Sequence, residues 1–74
     1  MRTHRDPLLT QVGQRTKHLR AQRGWSQERL ADEAGVDRSY MSGIERGVRN
    51  ASILTLARIA KALGVSPASI LEKD

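Results

Sequence analysis

The segment from Asp37 to Asn50, DRSYMSGIERGVRN, gathers side chains that can hold and read a polyanion. Arg38 can bind two acceptors at once, as on guanine O6 and N7, and such a pair gives about 1–3 kcal/mol of discrimination against the wrong base. Ser39 beside it can donate to a base edge or lie against a thymine methyl. Tyr40, Ser42 and Arg46 suit phosphate oxygens, which orient a protein without reading sequence. Arg49 and Asn50, in the loop after Gly47, can reach the same backbone. Upstream, Ser26 and Gln27 open another helix, whose free N–H groups and Gln amide suit a further phosphate. Taken singly, each of these except Arg38 is ordinary solvated surface. Convergence on one face is what would give them a joint role.

A helix from Arg38 to Gly47 supplies that convergence. At about 100° per residue, Met41, Ile44 and Glu45 share one side. Ser39, Gly43 and Arg46 point the other way with Ser42 beside them, and Arg38 and Tyr40 flank the first turn. The outward face is short, polar and narrow. A bare Gly43 on it would let the helix axis lie close to a groove. The B-DNA major groove, about 12 Å wide, admits such a helix amino end first.

The flanking elements read as short helices. Asp6-Pro7 is a helix opening, a capping acid followed by proline. From there Leu8/Leu9, Val12, Thr16 and Leu19 recur at helical spacing until Gly24. Ser26 caps a second helix with Leu30, Ala31 and Ala34 on its apolar face, ended by Gly35. Only Gly35, Val36 and Asp37 separate it from the helix at Arg38, which is helix-turn-helix spacing, although an ordinary α-hairpin shares it. Ile53, Leu56, Ile59, Ala60 and Leu63 mark a fourth helix, and Ser66-Pro67 opens a short fifth. No strand signal, repeat or linker appears. The expected fold is all-α, with five helices in one domain over residues 7–74 after a flexible tail at 1–6.

Glu45 shares a face with Met41 and Ile44, and burying its carboxylate there is costly without a partner. Arg20, next to Leu19 near the end of the first helix, is the best placed cation. A partly buried Arg20–Glu45 bridge fixing the third helix against the first is expected.

With 74 residues, no Cys and no Phe, the chain has a marginal core without disulfide or thiolate–metal support. Its formal charge of +5 favours nucleic acid or anionic membrane. The excess lies in residues 1–25, where Arg2, Arg5, Arg15, Lys17, Arg20 and Arg23 face Asp6 alone. The third helix is therefore singled out by geometry and not by charge. His4 and His18 have no paired carboxylates or Cys around them, and no phosphate loop or cofactor motif occurs, so no enzyme, metal site, cofactor or small-molecule ligand is expected. Apolar runs are too short for a membrane span, and the lack of Cys fits a reducing cytosol; a cytoplasmic location is expected, nucleoid-associated through DNA binding.

The blocks LRAQRGWSQERLA, AGVDRS, IERG and LARIAKALGVSP resemble the lambda-repressor-like, Xre-type helix-turn-helix regulators, over roughly Val12 to Leu71. The resemblance implies a DNA-binding fold with the motif at helices 2 and 3. It puts Gln27 at a phosphate-contacting position, Arg38 and Ser39 at base-reading positions, and Arg20 and Glu45 at a buried ion pair. The run RSYMSGIERGVRN is most similar to the controller proteins of restriction-modification systems, which implies a small homodimeric regulator on a palindromic operator. The interface in that family lies near the fourth and fifth helices, where Leu54, Val65, Ile70 and Leu71 are the candidates. A phage-type repressor or an antitoxin shares the same binding physics. A protein- or RNA-interaction module on this fold is the alternative of a different class.

Overall fold

The computed structural model describes residues 6–73, so the tail expected at 1–6 falls almost wholly outside the described residues. Five helices follow in order: α1 (Pro7–Gln22), α2 (Gln27–Ala34), α3 (Arg38–Glu45), α4 (Ile53–Leu63) and α5 (Pro67–Leu71). No strand occurs among the described residues. Local chemistry sets the boundaries. Asp6 Oδ1 accepts the Leu8 N–H at 2.8 Å, Ser26 Oγ that of Arg29 at 3.0 Å, and Ser52 Oγ that of Thr55 at 3.0 Å. Each satisfies a donor that the first helical turn leaves open. Gly35 closes α2 at φ +68°, a left-handed conformation that folds the chain directly into α3.

The helices pack as a small bundle in which α2 lies on α4, α1 on α3, and α5 against both α1 and α4. Leu30, Met41, Ile44, Ile59 and Ile70 are fully buried at the centre. Each such side chain contributes about 1.5–3 kcal/mol relative to leaving it in water. The short α5 is also tied by polar contacts to α1. Arg15 Nε donates to the Ser69 carbonyl at 2.8 Å, and Gln11 Nε2 to that of Leu71.

Two expectations are corrected here. Ile70 is 0% exposed, so it completes the chain's own core and has no surface to give a partner subunit. Ile53, the first residue of α4, is 87% exposed. The third helix stops at Glu45, two residues short of Gly47, with Arg46 as its C-cap.

Among the described residues no helix is long and apolar enough to cross a membrane.

Candidate nucleic-acid interface

Two close approaches hold α3 in place. Gly13 of α1 lies against the end of α3, where a Cβ would stand 2.5 Å from the Ile44 carbonyl oxygen and 2.6 Å from that of Glu45. Alongside it, Arg20 grips Glu45 in a bidentate pair, Nε to Oε2 at 2.7 Å and Nη2 to Oε1 at 2.9 Å. Arg20 Nη1 also donates to the Trp25 carbonyl at 2.9 Å, linking the α1–α2 turn to the same node. The Glu45 hydrogen bond raises the Arg20 pKa above its ordinary value against the opposing effect of burial, so the guanidinium stays charged.

On the side away from α1, the amino end of α3 is open. Arg38 and Ser39 are exposed at its amino end, and no hydrogen bond from the Arg38 side chain to the protein is seen among the described residues. Asp37 caps the helix, accepting from the N–H groups of Ser39 at 3.0 Å and Tyr40 at 3.3 Å. The Ser39 hydroxyl also donates to Asp37 Oδ2. That bond first, and the two backbone donors after it, hold the Asp37 carboxyl below its ordinary pKa. Farther along, Arg46 is exposed, with Nε 3.4 Å from Ser42 Oγ.

The loop after α3 folds back on this face. The Val48 and Arg49 N–H groups donate to the Gly43 carbonyl at 3.0 and 3.1 Å. The Arg49 stem runs so close to Gly43 that an added Cβ would meet Arg49 Cγ at 2.2 Å. Gly43 is thus buried by the loop and does not face a groove, which corrects the reading of it as a bare contact surface. Arg49 passes over the Tyr40 ring, 5.7 Å from guanidinium carbon to centroid. The Tyr40 hydroxyl donates to the Asn50 carbonyl at 3.0 Å. Tyr40 therefore braces the loop, and its one proton is not free for a phosphate. The Asn50 residue itself remains exposed, as does Arg49.

At the amino end of α2, Ser26 is exposed and Gln27 is half-buried. One Gln27 amide proton goes inward to Glu45 Oε1 at 3.1 Å, leaving the other available. Trp25, which sequence reasoning passed over, is flanked by two guanidinium groups, Arg23 at 4.6 Å and Arg29 at 4.7 Å from its ring centroid. The aromatic residue with arginines two before and four after it was the available signal. Leu54, at 61% exposure, and Leu71, at 46%, lie on the surface with Ile53, and Val65 is half-buried.

With α2 and α3 paired across a three-residue turn, comparison with known proteins finds the same fold. A family model described as helix-turn-helix matches residues 17–70. The chain belongs to that family. It is a DNA-binding transcription regulator of the lambda-repressor-like kind. Control protein C.BamHI of Bacillus amyloliquefaciens is 44% identical over 61 residues, 81% of this chain and 75% of that protein. The solved structure of the restriction-modification controller protein C.AhdI from Aeromonas hydrophila superposes with TM-score 0.82 at 45% identity. The match covers 84% of this chain and 94% of that one. The regulator SinR, solved in complex with DNA, superposes with TM-score 0.79 at 42% identity over 82% of this chain and 98% of that one. Other relatives are longer: the chain spans 44% of the immunity repressor protein of Bacillus phage phi105. Within this family the two helices of the motif are α2 and α3, and both lie wholly inside the matched residues.

Proposed function

We propose that the chain acts in the cytoplasm as a homodimeric controller of a restriction-modification system, binding a palindromic operator through α3. One observation supports this above the others: Arg38 and Ser39 stand open at the amino end of a helix whose other side is locked to α1 through Gly13 and the Arg20–Glu45 pair. Arg38 takes a guanine, and Ser39 reads the neighbouring base. Ser26, Gln27, Ser42, Arg46, Arg49 and the Asn50 amide hold phosphates on either side. The likeness to C.BamHI and C.AhdI, over most of each chain, favours the controller role.

One such module makes few base contacts, so specificity needs two of them on half-sites about 34 Å apart. The exposed Ile53 and Leu54 of α4, with Leu71 at the end of α5 and Val65 between, offer the apolar surface for a two-fold partner. Footprinting of the DNA upstream of the protein's own gene tests the reading. A protected palindrome with two half-sites is expected. Equal affinity for random DNA and RNA would instead indicate an interaction module that reads no operator.

A further inference from the structure

Asp37 does more than cap α3. Its Oδ2 collects the Ser39 and Tyr40 N–H groups and, in addition, the hydroxyl proton of Ser39. A serine hydroxyl has one proton and two lone pairs. With the proton turned toward Asp37, the Ser39 oxygen presents only acceptor capacity to the outside. The ionised carboxylate has no proton to return, so this polarity cannot reverse while Asp37 stays charged, and the bonds that lower its pKa keep it charged at neutral pH. Arg38, one residue earlier, has the opposite character, since a guanidinium only donates.

The major groove distinguishes these polarities. Adenine N6 and cytosine N4 are donors there, whereas guanine O6 and thymine O4 are acceptors. We propose that Asp37 is a positioning residue that sets the hydrogen-bonding polarity of Ser39, so that Ser39 selects adenine or cytosine over guanine or thymine on the strand it faces. The inference rests on α3 being the base-reading helix. An acceptor opposed to an acceptor leaves both unpaired, which corresponds to roughly tenfold discrimination at that base. Adjacent residues of the helix thus ask opposite questions of adjacent bases: Arg38 seeks acceptors and Ser39 seeks a donor.

Selection of bound sequences from random duplexes, run in parallel on the full chain and its Ser39→Ala, Asp37→Ser and Asp37→Asn variants, tests this. Ser39→Ala identifies the position that Ser39 reads, as the one whose preference disappears. There the unaltered chain is expected to favour adenine or cytosine on one strand by about tenfold. Asp37→Ser and Asp37→Asn keep a capping side chain at the start of α3. The hydroxyl introduced by Asp37→Ser has a proton to return and frees Ser39 to donate or accept, so there the preference should fall to a few-fold while the Arg38-dependent guanine persists. The amide oxygen that caps the helix in Asp37→Asn still only accepts, so the preference should keep its direction in that variant. Guanine or thymine enriched at the Ser39 position overturns the proposal. So does an undiminished preference in Asp37→Ser, or a Ser39→Ala selection identical to that of the unaltered chain. Should Asp37→Ser not fold, the base selected by the unaltered chain at the Ser39 position decides alone. If the unaltered chain enriches no sequence at all, it is the assignment of α3 as a reading helix that fails.

Discussion

Glu45 carries two requirements on one carboxylate. It sits at 8% exposure beside core residues, and its oxygens accept from Arg20 twice and from Gln27 once. A buried charge in this situation depends on its partners, and removing one member strands the other. Glu45→Ala should cost about 3 kcal/mol in urea-induced unfolding, most of it from the orphaned Arg20. A loss near zero would mean that Arg20 escapes to water and that the pair does not fix α3. Asp37 behaves differently because it is exposed. Its folded-state pKa is lowered from the ordinary 3.8, so its contribution to stability is complete above that value and is lost as pH falls through the lower folded value. Thermal unfolding followed from neutral pH into acid should therefore show a smaller acid-induced drop in Tm for Asp37→Ser than for the unaltered chain. Parallel acid limbs would contradict the cap.

Packing of α1 on α3 turns on a residue with no side chain. Gly13 lets the two backbones come so close that a Cβ would press on the Ile44 and Glu45 carbonyl oxygens, neither of which can yield without moving α3. Gly13→Ala is expected to destabilise by about 1–3 kcal/mol, read by urea unfolding, because the helices must separate. It should also weaken operator binding by displacing Arg38. An alanine variant as stable as the parent would show that the helices have slack there. What the sequence revealed and what it concealed divide along this line. The caps at Asp6, Ser26 and Asp37, the turn at Gly35 and the core stripe of Met41 and Ile44 depend on neighbours a few residues away, so periodicity and capping rules find them. Gly13 meeting α3, Gly43 cradling Arg49, Ile70 filling the core and Ile53 left outside all depend on which helix lies opposite. No local pattern carries that. Tyr40 and Ser39 illustrate the same limit within the site, since their residue types permit a DNA contact while their hydroxyl protons are already directed at Asn50 and Asp37.

At the scale of the whole molecule, the body measures 37 × 23 × 22 Å and carries a single α3, whereas half-sites one helical turn apart are separated by ~34 Å. On the proposed palindromic operator, one α3 per half-site calls for two chains, and the formal charge of +5 per chain would help draw both to the duplex. Binding to phosphates releases counterions, so affinity should fall steeply with salt. Arg49→Ala should weaken binding to all sequences alike and flatten the plot of log affinity against log salt by about 0.9 for each phosphate that the arginine neutralises. An effect confined to one operator sequence would move Arg49 into the base-reading set. The most direct test of α3 as the reading element is the ratio of affinities for the operator and for a scrambled duplex of equal length, measured at one fixed salt concentration with and without Arg38→Ala. The ratio should drop by about ten- to a hundredfold, with the affinity for scrambled DNA little changed. A ratio that Arg38→Ala leaves intact would contradict the placement of the amino end of α3 against the bases.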